Sequence, residues 1–168
     1  MNAGFLLQQI DLYLSANGLG SCWLGVAKPS KDVPAMKNGL EFVIMLAFGT
    51  ANEPVHRTSL AEFKRKSFST ICSISSGNQL LEPVRIAPSA TNSQTWFFSG
   101  SEDYITVSRE KLNLIKAAIY NNMNQIDIGI ALAHLWLTCD HLGKPMAIDF
   151  EKTPAPSGYE FMANVKVG

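Results

Sequence analysis

Apolar positions recur along the chain with two different periods, and the expected elements follow from where the period changes. Over residues 4–17, Leu6, Ile10, Tyr13 and Leu14 fall at i, i+4, i+7 and i+8, which is one face of a helix. Gly18 follows where a left-handed C-terminal cap is usual. Residues 127–140 predict a second helix. Ile128, Ile130, Leu132, Leu135 and Leu137 make it apolar nearly all round, so it is expected to be central and buried. Residues 40–48 are a continuous apolar run of strand length and read as a central strand. Residues 160–167 form a more polar strand, expected nearer an edge. Residues 96–98 and 104–107 flank Gly100-Ser101-Glu102-Asp103, a hairpin pattern. Residues 59–69, 78–86 and 110–121 read as further helices.

The pattern also repeats. Asp11-Leu-Tyr-Leu-Ser-Ala-Asn-Gly-Leu-Gly20 aligns with His134-Leu-Trp-Leu-Thr-Cys-Asp-His-Leu-Gly143 at an offset of 123 residues. Leu40-Glu-Phe-Val-Ile-Met-Leu-Ala-Phe-Gly49 aligns with Tyr159-Glu-Phe-Met-Ala-Asn-Val-Lys-Val-Gly168 at an offset of 119. Two matches in the same order at nearly one offset read as a degenerate internal duplication of helix, turn and strand. On that reading residues 1–49 are the second half of a first unit and residues 50–168 a second unit, together forming one domain. An equivalent of the 77-residue block 50–126 is then expected ahead of residue 4, so a partner chain or a longer gene product is expected to supply it.

Composition narrows the function. Of 168 residues, 46% are hydrophobic, which suits one domain with a full core. Fourteen Lys and Arg balance fourteen Asp and Glu, leaving no basic field for nucleic acid and no polybasic tract for a membrane surface. The apolar start ends at Gln8, Gln9 and Asp11, too early for a signal peptide or a span. Cys22, Cys72 and Cys139 are an odd count without C-x-x-C spacing, which argues for reduced thiols and a cytoplasmic setting.

Four stretches carry candidate chemistry. Asn17-Gly-Leu-Gly-Ser-Cys-Trp-Leu-Gly25 offers glycine backbone that can approach a flat ligand closely, with Trp23 to pack beneath it. It lacks both phosphate-binding glycine patterns, G-x-x-x-x-G-K-[ST] and G-x-G-x-x-G. Ala87-Pro-Ser-Ala-Thr-Asn-Ser-Gln-Thr-Trp96 is a rigid polar loop: either a turn leading into a strand, or a cradle of N–H groups, hydroxyl and carboxamide for a ligand. Lys64-Arg65-Lys66-Ser67 is either a solvated basic face or a phosphate site. Cys22 lacks a histidine placed by the sequence to activate it, and His134, inside an apolar helix, reads as a core histidine. No ligand spacing supports a metal.

Taken in order, these pieces resemble the FMN-dependent nitroreductase family, in the branch where two units are fused in one chain. Arg65-Lys66-Ser67 resembles its basic start, and Ala87-Pro88-Ser89-x-x-Asn92-x-Gln94-Thr95-Trp96 its A-P-S-x-x-N-x-Q-P-W loop. Asp127-Ile-Gly129-Ile-Ala131 resembles its D-x-G-x-A helix, and Gly18-Leu19-Gly20-Ser21-Cys22-Trp23-Leu24-Gly25 its G-L-G-x-x-W-x-G turn. The resemblance implies an α+β fold, a mostly antiparallel sheet flanked by helices. It implies FMN held between two units, with a homodimer expected. Gly18, Leu19, Gly20, Trp23, Leu24 and Gly25 would face the flavin from one side, and Pro88, Ser89, Asn92 and Gln94 from the other. Arg65, Lys66 and Ser67 would serve as a basic start. Hydride would pass from NAD(P)H through the flavin to a small nitro or quinone acceptor, with no protein acid or base named as catalytic. Thr95 stands where the family has Pro, and His141-Leu142-Gly143 stands where the second unit would carry Gly-Leu-Gly. These departures leave room for an inactive binding or structural domain. A thiol enzyme using Cys22 is a third reading.

Overall fold

A computed structural model describes residues 1–32, 35–76 and 78–168, the side chains of Asn78 and Lys116 excepted. The α+β class is as expected. Helix α1 (Asn2–Ala16) leads into strand β1 (Gly20–Leu24), and a short hairpin, β2 (Met36–Lys37) and β3 (Leu40–Glu41), precedes β4 (Met45–Gly49). Helices α2 (Phe68–Ile71) and α3 (Asn78–Arg85) come before the β5 (Trp96–Gly100) and β6 (Tyr104–Glu110) hairpin. The long helix α4 (Leu114–His141), β7 (Met146–Asp149) and β8 (Tyr159–Val167) complete the chain.

The core sits where α3 and α4 pack on an antiparallel sheet of order β5-β6-β8-β7. Trp96, Phe98, Ile105, Val107 and Val165 from the sheet meet Leu81 and Val84 of α3 and Ile128 and Leu135 of α4, all essentially inaccessible. The β6 residue Arg109, 6% exposed, ties the sheet to α4: its Nε donates to Glu160 Oε1 at 2.8 Å, and its other nitrogens donate to the carbonyl and Oδ1 of Asn121. The fork geometry of a guanidinium serves both partners at once.

Several expectations are corrected. Residues 110–121 and 127–140 are not two helices: β6 runs through Glu110, and one 28-residue helix spans Leu114–His141. Asn122-Met-Asn-Gln-Ile126 contains neither Gly nor Pro to interrupt it. Strand β8 is internal rather than near an edge, with β6 on one side and β7 on the other. Residues 40–48 are not a central strand. They divide into β3 and β4, and among the described residues β4 pairs with β1 alone, in a separate two-stranded sheet, leaving Phe48 66% exposed. Residues 59–69 are not one helix. A 3₁₀ turn at Leu60–Glu62, closed by Ser59 and Glu62, is followed by chain that runs beside residues 86–94.

The inner face of α1 also differs from its apolar stripe. Leu14 of the expected stripe is buried, but Leu6, Ile10 and Tyr13 are 53%, 48% and 69% exposed, and Gly4 and Gln8 are buried in their place. The reason is a close crossing of α1 and α4. A Cβ on Gly129 would overlap the Met1 carbonyl, and one on Gly4 would overlap the Ile126 carbonyl. Glycine permits that approach, with Leu6, Ile10 and Tyr13 left on the outer side.

The two aligned ends of the chain share a local form. Gly18 (φ 74°) ends α1 and Gly143 (φ 67°) ends α4, each in the left-handed region. Each is followed by a strand that a later strand meets antiparallel, β1 with β4 and β7 with β8.

Candidate functional site

A cavity of about 400 Å³ lies between β1, the loop at 88–91 and one side of α4. Trp23, Gly25 and Val26 form one wall, and Pro88, Ser89, Ala90 and Thr91 form another. Ile119, Met123, Ile126 and Ile130 of α4 line it at i, i+4, i+7 and i+11, a single helix face. Tyr120, Asp127 and Ile44 complete the lining. The volume falls within the roughly 300–1,000 Å³ usual for small-molecule sites, and the walls are mainly apolar.

The loop is held by its own polar groups. Ser89 Oγ accepts the Gln94 N–H at 2.9 Å, and the Ser89 carbonyl accepts the Asn92 N–H at 2.9 Å. Thr91, Asn92 and Gln94 all have positive φ, at 53°, 57° and 45°. That conformation is uncommon for any side-chain-bearing residue and a strain for a β-branched one. Cross-links to residues 64–66 maintain it. Asn92 Nδ2 donates to the Lys64 carbonyl at 2.7 Å, and Arg65 donates to Asn92 Oδ1 at 2.8 Å. The Lys66 N–H donates to Gln94 Oε1 at 2.7 Å.

The expected site residues therefore separate into groups. Trp23, Gly25, Pro88 and Ser89 meet around the cavity. Asn92 and Gln94 brace the loop from within. Arg65 Nε is engaged by the carbonyls of Ile86 and Ala87, and its guanidinium lies over Phe63. Lys66 Nζ bridges Glu110 Oε1 at 2.8 Å and the Gln94 carbonyl. Ser67 bonds to Ser69 and Thr70 at the start of α2. Gly18 and Leu19 close the end of α1, and Leu24 ends β1; none of the three lines the cavity. Cys22 is exposed on β1, with its Sγ 3.8 Å from the Trp23 carbonyl.

Asp127 belongs to the site but was not among the expected ligand contacts. It is 2% exposed; its Oδ1 accepts the Ala90 N–H at 2.9 Å, and its Oδ2 has no hydrogen-bond partner among the described residues. Burial pushes its carboxyl up to about 7, against the opposing effect of the Ala90 bond. Its place in the Asp127-Ile-Gly129-Ile-Ala131 motif marked it, but the motif alone does not say which way a side chain points. The α4 lining residues were also legible as a helical stripe, had the helix been carried back past residue 127.

A second, more polar cavity of about 290 Å³ shares the Trp23 and Pro88 walls. Gly20, Arg65, Gln8, Asp11 and His134 also line it. Gln8 Nε2 donates to Asp11 Oδ2 at 3.0 Å, and Ser21 donates to Asp11 Oδ1. Gln8 Oε1, Trp23 Nε1 and His134 Nε2 have no partner among the described residues. Burial pushes the His134 imidazole down to about 4; Asp11 and a bond to the Pro83 carbonyl oppose that effect, and Arg65 reinforces it. His134 is thus a neutral core histidine with one ring nitrogen satisfied.

Among the described residues, no helix is long and apolar enough to cross a membrane. Residues 1–139 match the model of a family described as "Putative TM nitroreductase". Among solved structures, the chain is similar to the crystal structure of a "putative nitroreductase" from Thermotoga maritima. The identity is 23% and the TM-score 0.65, over 98% of this chain and 62% of that one. The chain thus spans less than two thirds of that neighbour's length. No curated protein matches in sequence.

Proposed function

We propose, from the premise that the chain belongs to the nitroreductase family whose model it matches over residues 1–139, that it is an FMN-dependent oxidoreductase. On this reading a hydride equivalent passes from NAD(P)H to a small nitro or quinone-like acceptor at the cavity beside Trp23. The observation that carries it is that Trp23 and Gly25 of the glycine turn and Pro88 and Ser89 of the P-S-x-x-N loop line one cavity.

The residues present fit the ring portion of FMN. The cavity of about 400 Å³ offers flat apolar walls from Trp23, Met123 and Ile44. Among the described residues it also has two buried polar atoms without a partner, Trp23 Nε1 and Asp127 Oδ2, the first of them a donor for the ring. Trp23 and Gly25 would hold the ring from one side and Pro88 and Ser89 from the other. When bound, FMN would accept two electrons and pass them on; the protein's part is to orient it and exclude water. The phosphate end is not served in the same way. Arg65 and Lys66 are engaged by Asn92 and Glu110.

A homodimer is part of this reading. Leu6, Ile10 and Tyr13 form an exposed stripe on α1, and Phe48 and Leu114 are 66% and 92% exposed. Apolar surface of that kind marks an interaction site. The two chain ends with one local form are read here as two degenerate units. The three free cysteines suit a reducing, cytoplasmic setting.

Purified protein titrated with FMN is expected to quench flavin fluorescence and to oxidise NADH or NADPH with a quinone acceptor. No uptake of FMN by the dimeric protein would end this reading. The internal engagement of Arg65 and Lys66 favours a second reading, a domain that keeps the fold without catalysis. Robust NAD(P)H oxidation by the flavin-loaded protein would exclude it.

A further inference from the structure

The cavity contains a carboxyl group in an arrangement that suits an acid better than an anion. Asp127 is 2% exposed, and its Oδ1 is fixed by the Ala90 N–H, which sets the carboxyl against the loop. Oδ2 is buried without a partner. A buried carboxylate with a bare oxygen is costly, whereas the protonated acid has an O–H to offer a ligand. Among the described residues no cation compensates it. Arg109 is engaged by Glu160 and Asn121, and Arg65 by Asn92. Tyr120 is the other titratable side chain among the described residues of the lining. Burial accordingly holds the carboxyl at about 7, where both protonation states are populated near neutral pH.

We propose that Asp127 is the proton donor of this cavity, its Oδ2–H hydrogen-bonding a carbonyl oxygen of a quinone-class acceptor and passing its proton to it during reduction. The inference rests on the nitroreductase reading. Reduction of a quinone to its hydroquinone takes two electrons and two protons. A hydride from the reduced nicotinamide supplies both electrons and one proton. The second proton comes from Asp127: its O–H bond breaks as the hydroquinone O–H forms, and the carboxylate regains a proton from solvent. Asp127 suits the role because it is the carboxyl group in a mainly apolar pocket, and a backbone bond on its other oxygen prevents it from turning away.

Two measurements test this. In wild-type protein labelled with carbon-13 at the aspartate carboxyls, the Asp127 resonance is expected to titrate with a midpoint near 7. It is assigned by its loss in Asp127→Asn or, should that variant not fold, by its proximity to the Ala90 amide. A midpoint near 4 overturns the proposal. In flavin-loaded protein reducing benzoquinone with NADH, the wild-type rate is expected to fall about tenfold per pH unit above pH 7. Asp127→Asn is expected to be about 100-fold slower at pH 6, with a flat profile. An Asp127→Asn rate and profile equal to wild type overturn the proposal and leave the nitroreductase reading standing. Failure of the wild-type protein to take up FMN overturns that reading, and the proposal with it.

Discussion

Two buried groups are expected to tilt the stability of this protein with pH in opposite directions, and single substitutions should separate them. Asp127 rises from 3.8 to about 7 on folding because burial penalises its anion. Between those values the native protein keeps a proton that the unfolded chain has lost. Stability therefore falls as pH rises through this window and is level above it, by about 4 kcal/mol at most, from 1.36 kcal/mol per pH unit. His134 falls from 6.5 to about 4, also through burial. Between those values the unfolded chain holds a proton that the native protein lacks, so stability rises with pH by about 3 kcal/mol at most. Near pH 4–6.5 the two nearly cancel in the wild-type protein. Asp127→Asn keeps the oxygen that accepts from Ala90 but cannot ionise, so its stability should climb relative to wild type as pH rises from about 4 to 7. His134→Gln keeps an N–H for the Pro83 carbonyl and should show the opposite relative slope from about 4 to 6.5. Urea unfolding followed by tryptophan fluorescence, repeated across this range, reads the effect as the difference between curves. Curves that stay parallel to wild type in both variants would refute burial as the cause of either shift.

The two kinds of glycine should respond differently to alanine. Gly18→Ala adds a Cβ to open space at φ 74° and is expected to cost about 1 kcal/mol, read by thermal unfolding. Gly129→Ala gains helix propensity yet drives a Cβ into the Met1 carbonyl, so a net loss of about 1–3 kcal/mol is expected in the same assay. On the proposed homodimer reading, Tyr13→Glu on the exposed stripe of α1 should leave a monomer in light scattering with unchanged far-ultraviolet dichroism, and a wild-type protein that is itself monomeric would refute that reading. Arg109→Lys should lower the urea midpoint by about 2–4 kcal/mol equivalent, because a lysine ammonium cannot serve both Glu160 and Asn121.

What the sequence revealed depended on whether an element's partner was local. Helix α1, its cap at Gly18 and the β5–β6 hairpin are set by neighbouring residues and were legible from period and turn chemistry alone. The course of residues 40–48 and the inward face of α1 depend on partners elsewhere. An apolar run reads as central only if strands flank it on both sides, and β4 has β1 alone. An apolar helical stripe reads as inward only if it is the closest-packing face. In α1 that face is built from Gly4, Gln8 and Leu14, of which only Leu14 belongs to the stripe. At the site, Trp23, Gly25, Pro88 and Ser89 came together because their motifs specify backbone shape. Arg65, Asn92 and Gln94 belong to the same set of motifs, but a guanidinium or carboxamide can serve a ligand or a neighbouring loop equally well. Sequence spacing does not decide between them; the hydrogen-bond partners do.

That distinction bears on how the site would work. A loop with three residues at positive φ needs restraint, and here Arg65 and Lys66 provide it from the chain alongside. Removing Arg65 to test a phosphate contact would therefore also release Asn92 and the carbonyls of Ile86 and Ala87, and loss of ligand binding would follow from either role. Arg65→Lys with FMN and with riboflavin as alternative ligands separates them. If Arg65 only braces the loop, both ligands should weaken by the same factor. If it also reaches a phosphate, FMN should weaken more than riboflavin, which lacks the group. Equal factors are expected, because the guanidinium is already engaged by two carbonyls and Asn92. A selective loss for FMN would show that the bracing contacts yield when ligand is present.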